Sequence, residues 1–115
     1  MMRRGDLVLV DLDPVRGNEV SKTRPAVVVS NDGANRRAAQ LGRGVITVVP
    51  ITSNTEKVFP FQVLLEEVAG LKVTSKAQAE QVRSVSVERV GRTLGRLSPM
   101  QVTEVDRALR LHLSL

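Results

Sequence analysis

Gly44-Val45-Ile46-Thr47-Val48-Val49-Pro50-Ile51 is the stretch on which the fold turns. It is a nearly continuous apolar run rich in β-branched side chains, the pattern of a strand covered on both faces. Upstream, Pro25-Ala26-Val27-Val28-Val29-Ser30 repeats that pattern, and Gly5 to Leu12 reads as a strand stopped by Asp13-Pro14. Downstream, Phe61-Gln62-Val63-Leu64-Leu65 and Leu71-Lys72-Val73-Thr74 read as strands flanking a turn at Gly70. Ala79 to Val85 alternates with period two, placing Ala79, Gln81, Arg83 and Val85 on one side; Arg92 to Leu97 reads as a last short strand. The 20 valines of the chain suit a pleated sheet.

Two segments carry helical signals. Ala34 to Leu41 is short, alanine-rich and basic, and Gly42 ends it. The longer one starts at Ser98-Pro99-Met100-Gln101, with serine as N-cap, proline at the first helical position and glutamine completing a capping box. Val102, Val105, Ala108, Leu109 and Leu113 then recur at helical spacing, leaving Glu104, Asp106, Arg107 and Arg110 to face outward. The strands lie too close together for helical crossovers. The expected fold is therefore mostly β: a small, largely antiparallel β-barrel of about seven short strands with a short and a longer helix. One domain over residues 1–115 accounts for the whole chain.

Composition narrows the function. With no cysteine, thiol catalysis, disulfide frameworks, zinc fingers and iron–sulfur centres are excluded together, and a single histidine makes no metal cluster. The start, Met1-Met2-Arg3-Arg4-Gly5-Asp6, runs into charge, and no apolar run approaches the roughly 20 residues that span a bilayer. A soluble, cytoplasmic protein without membrane contact is expected. Thirteen of 17 cations are arginine and the formal net charge is +5, which favours a polyanionic partner, nucleic acid first. Only Phe59 and Phe61 are aromatic, so recognition must rest on phosphate contacts and polar readout, not on a stacking platform.

The chemistry-bearing residues are few. His112 sits among apolar neighbours in the last helix and reads as a structural or surface residue. Asp11 and Asp13, two apart on a strand, point to one side as a magnesium pair would, yet they read more simply as a solvent face running into a turn. No metal or other cofactor is expected. The polar stretch Val15 to Thr23 is longer than an ordinary hairpin loop. What remains is a set of strand-end residues: Glu19, Arg24, Thr52, Ser53, Glu80, Gln81 and Arg83. Metal-free phosphodiester cleavage needs a base for the 2′-hydroxyl, a cation and donors for the phosphorane, and a donor for the leaving oxygen. Arg24 and Thr52 suit the second need, and Glu19 or Glu80 the first. Residue type alone does not separate such a site from the polar rim of any small barrel.

Order and identity add more. Gly5-Asp6-Leu7-Val8, Asp11-Leu12-Asp13-Pro14, Arg16-Gly17-Asn18-Glu19 and Arg24-Pro25-Ala26-Val27-Val28-Val29-Ser30-Asn31 resemble the MazF/PemK (Kid) family of toxin endoribonucleases. Val49-Pro50-Ile51-Thr52-Ser53, Pro60-Phe61-Gln62-Val63 and Glu80-Gln81-Val82-Arg83-Ser84 continue the likeness in unbroken order. It implies an SH3-like, CcdB-like plasmid maintenance toxin barrel that forms a homodimer with an RNA groove along the interface. It also implies sequence-specific, metal-independent cleavage of single-stranded RNA, mRNA included, to 2′,3′-cyclic phosphate and 5′-hydroxyl ends, arresting translation and growth. A cognate antitoxin with a flexible acidic tail would neutralise the toxin, and promoter DNA would be bound only through that complex. Carried over by position, Arg24, Thr52 and Glu19 are catalytic, and Ser53, Glu80, Gln81 and Arg83 line the RNA groove. Two places depart from the family: Glu80 and Gln78 stand where some members have Asp and Arg, and Leu9 where an aromatic is common. The same fold also admits a gyrase-binding poison of the CcdB type, or an RNA-binding barrel without catalysis.

Overall fold

In the computed structural model, which describes residues 2–12 and 23–115, the run at 44–51 becomes β3 (Val45–Thr52), the strand that orders the sheet. The others are β1 (Asp6–Asp11), β2 (Thr23–Val28), β4 (Gln62–Leu65), β5 (Ser75–Gln78), β6 (Arg83–Ser86) and β7 (Val90–Arg96). Their order is β4-β5-β3-β2-β1-β7, with β6 also on β3, and every pairing is antiparallel. β3 meets β6 along its first half, from Val45↔Ser86 to Val48↔Arg83, and β5 at its end, Ile51↔Ala77 and Thr52↔Lys76. Between them it meets β2, Ala26↔Pro50 to Val28↔Val48.

Alternation along β1, β2 and β3 buries both faces, as the apolar runs require. Leu7, Val27, Val49 and Ile51 join Val63 and Leu65 in one core, closed by Val105 and Ala108 of α2 (Pro99–Leu113). Val8, Val10, Ala26, Val28, Ile46 and Val48 form a second core under Ala38 of α1 (Asp32–Leu41). The end of α1 at Gly42 and the capping box of α2 are as read, while α1 starts two residues earlier than expected, at Asp32. Asn31 accepts from the Ala34 N–H at 2.8 Å, and Gly42 ends α1 at φ +64°. At α2 the Gln101 N–H donates to Ser98 Oγ at 3.2 Å while the Ser98 N–H donates to Gln101 Oε1 at 2.9 Å. Arg4 pins the elements together. Its N–H donates to Asp32 at 2.7 Å, its Nε to the Val29 carbonyl at 2.9 Å, and its guanidinium pairs with Asp106 at 2.5 Å. Asp106 is thus half-buried, not outward-facing, whereas Leu113 is exposed.

Three expectations change. Leu71–Thr74 is not a strand; pairing starts only at Ser75. Ala79–Val85 is not one strand either, because a 3₁₀ turn over Ala79–Gln81, closed by the Val82 N–H to the Ala79 carbonyl at 3.1 Å, interrupts it. The period-two face therefore breaks up: Ala79 and Val85 are buried, Gln81 and Arg83 exposed. Finally, the hydrogen-bonded path is open between β4 and β7. The segment after β4 packs on β7 instead: a Cβ on Gly70 would overlap the Leu94 carbonyl, and one on Gly95 the Ala69 carbonyl. No helix among the described residues is long and apolar enough to cross a membrane.

Candidate active site

Two cavities open where β2 begins and β3 ends, and Arg24 lines both. The larger, about 670 Å³, has an apolar lining from Leu9, Pro25, Ile51, Leu71 and Leu94. Arg24, Thr52, Ser53, Lys72 and Arg92 supply its charge and hydroxyls. The smaller, about 210 Å³, is lined by Leu12, Arg24, Pro50, Gln78, Gln81 and Arg83. Among the described lining residues of the pair there are thus four cations and no carboxylate. Such walls hold phosphate oxygens and repel a divalent cation.

Local pairing explains how the principal residues meet. β2 and β3 pair from Ala26↔Pro50 to Val28↔Val48, and just beyond the end of that ladder Arg24 and Thr52 both line the larger cavity. Arg24 is also held across from Val10 of β1, and the proline after it fixes the backbone. Thr52 is the last residue of β3 and half-buried; its Oγ1 accepts from the Asn54 N–H at 3.2 Å, leaving its own proton free to donate. Ser53 follows it, exposed on the same cavity.

Gln81, the last residue of the 3₁₀ turn, and Arg83, the first of β6, line the smaller cavity, while Ala79 at the start of the turn is buried. Glu80 lines neither cavity. Its Oε2 accepts from Gln62 Nε2 at 2.6 Å and its Oε1 is buried, while Gln62 Oε1 accepts from the Phe59 N–H at 3.1 Å. Glu19 lies outside the described residues, as do Asp13 and most of the loop after it. Asp11 is half-buried with Oδ1 enclosed, so it is not the solvent-face residue the pattern suggested. His112 is exposed, 6.5 Å from the Phe61 ring centroid, and Phe61 stacks on Phe59 at 5.4 Å. Among the described residues no three His, Asp or Glu side chains are grouped to hold a metal ion.

Sequence reading missed Lys72 and Arg92. Lys72 was read as a strand residue, but its segment leaves the sheet and walls the larger cavity. Arg92 carries no motif at all.

With this geometry in hand the relatives can be read. Residues 3–113 match the family described as PemK-like, MazF-like toxin of type II toxin–antitoxin systems, and the chain belongs to that family. It is 60% identical over 116 residues to the endoribonuclease MazF9 of Mycobacterium tuberculosis, spanning 100% of this chain and 98% of that one. The fold is similar to that of MazF from Deinococcus radiodurans, with a TM-score of 0.77 at 26% identity over 99% and 97% of the two chains. A mycobacterial endoribonuclease solved in complex with its cognate antitoxin gives a TM-score of 0.78 at 24% identity, over 100% and 97%.

Proposed function

We propose that this toxin is an endoribonuclease that cuts single-stranded RNA at short preferred sequences without a metal ion, in the cytoplasm. The observation that carries the reading is the pair of adjoining cavities sharing Arg24, bordered by four cations and by no described carboxylate. The close likeness to an enzyme named endoribonuclease supports the choice of substrate. The gyrase-binding alternative draws no such support.

The chemistry follows from the residues. A carboxylate takes the proton of the 2′-hydroxyl, and the freed oxygen attacks the adjacent phosphorus. Glu19 suits this step better than Glu80, whose carboxylate is engaged with Gln62. Arg24 faces the charge that grows on the phosphorane oxygens, and the Thr52 hydroxyl donates to one of them. The bond to the 5′-oxygen then breaks, that oxygen takes up a proton, and the products are a 2′,3′-cyclic phosphate and a 5′-hydroxyl. Ser53, Gln81 and Arg83 contact the flanking nucleotides, with the Gln81 amide suited to reading a base edge.

A homodimer and a cognate antitoxin complete the assembly. An acidic antitoxin tail would find the cations of both cavities complementary, and occlusion of Arg24 would silence cleavage. Promoter binding would run through that complex. The test is end-group analysis: a long single-stranded RNA, cut in excess EDTA, should yield discrete fragments with 2′,3′-cyclic phosphate and 5′-hydroxyl ends. Fragments with 5′-phosphates, or cleavage abolished by EDTA, would overturn the mechanism.

A further inference from the structure

β7 is the edge strand beside β1, and its register slips twice within a few residues. Leu7 faces Gly95 and Val8 faces Thr93, so Leu94 is an extra residue; Val8↔Thr93 then gives way to Val10↔Val90, so Gly91 and Arg92 together face Leu9. A bulge bends the strand and re-aims a side chain, and bulges gather beside functional sites. Here the two β7 residues that line the larger cavity, Arg92 and Leu94, both lie in bulges.

The opposite wall is built with equal specificity. Gly70, at φ +98°, packs on the Leu94 backbone, and the Leu71 N–H donates to the Val68 carbonyl at 3.0 Å. That turn carries residues 71–74 off the sheet and sets Lys72 on the cavity rim. Lys72 and Arg92 are exposed, and neither forms an ion pair with a described residue. Two cations from separate elements, neither paired with a described residue and both lining one cavity of ligand size, suit a single anionic group.

We propose that Lys72 and Arg92 form a phosphate clamp, which grips the phosphodiester next to the scissile one that Arg24 and Thr52 stabilise during cleavage. The clamp rests on the endoribonuclease reading and extends it. It holds the strand without reading sequence, because backbone contacts position RNA whereas base contacts specify it. The neighbouring nucleotide lies along the aliphatic lining of Leu9, Pro25 and Leu94.

Salt dependence tests this directly. Binding of a single-stranded RNA made uncleavable by 2′-deoxy substitution is measured at several salt concentrations for the wild type, Lys72→Ala, Arg92→Ala, the double variant and Arg92→Lys. Each lost phosphate contact should flatten the slope of log K against log salt by about 0.7, and Arg92→Lys should keep it. On cleavable RNA, KM should rise in the alanine variants with kcat and the order of cleavage sites unchanged. If the wild type cleaves RNA but the double variant keeps the full slope, the clamp is wrong and the endoribonuclease reading stands. A changed site order would likewise overturn it, by making these residues base readers. If the wild type cleaves no RNA, the underlying reading fails instead.

Discussion

β1 has two neighbours that pair with it in opposite ways. Toward β2, five successive pairs run unbroken from Leu7↔Val27 to Asp11↔Thr23; toward β7 the register slips twice over the same stretch. The regular side holds Arg24 by pairing with Val10 of β1, and Thr52 at the end of β3 lines the same cavity. The irregular side frees Arg92 from strict alternation and leans it over the cavity. Transition-state stabilisation needs donors fixed in advance, so it belongs on the unbroken ladder. A grip on a flexible strand needs reach and charge more than exact placement, and the bulged edge supplies both.

The comparison can be broken at several points. The largest effect is expected on the regular side: Arg24→Ala or Thr52→Ala should lower kcat on the order of 10²–10³-fold, read by initial rates at saturating RNA. Gly70→Ala strikes the irregular side. Its Cβ would overlap the Leu94 backbone at a φ that disfavours alanine, so a loss of about 1–3 kcal/mol in urea unfolding is expected. Ser98→Ala is a control remote from both cavities; it should lose about 1 kcal/mol of stability through the cap alone, with kcat and KM unchanged. The smallest effect concerns acid. The Arg4 N–H holds the Asp32 carboxyl below its ordinary range, so its stabilisation is full above that range and is lost as pH falls through the lowered value. The gap in melting temperature between wild type and Asp32→Asn should therefore shrink as the pH is lowered.

How far the sequence could be read depended on whether burial was written in apolar residues. β2 and β3 were legible because continuous valine-rich runs fit a covered strand. The start of α2 was legible because a capping box is a local signal. β5 was not, since Ser75-Lys76-Ala77-Gln78 looks polar while Leu71-Lys72-Val73-Thr74 alternates. Ser75 and Lys76 are nonetheless buried, because Ser75 Oγ donates to the Val73 carbonyl at 3.0 Å and Lys76 Nζ to the Lys57 carbonyl at 2.5 Å. Val73, the more apolar residue, is exposed.

The site divided along the same line. Arg24, Thr52, Ser53, Gln81 and Arg83 were reachable because each stands in a run of residues with a recognisable order. Glu80 was placed with them by order, yet its carboxylate turns to Gln62 through a 3₁₀ turn that alternation concealed. Lys72 follows the turn at Gly70, which the sequence did signal, but the departure of residues 71–74 from the sheet and the bulges that place Arg92 are properties of pairing and leave no trace in residue order.

The most direct test is the rate of cleavage of one defined single-stranded RNA in excess EDTA, for the wild type and Arg24→Ala at matched folded fraction. The account expects a cut by the wild type, and a fall in kcat on the order of 10²–10³ in the variant with KM little changed. Equal rates for the two proteins would remove Arg24 from the chemistry and contradict the account at its centre.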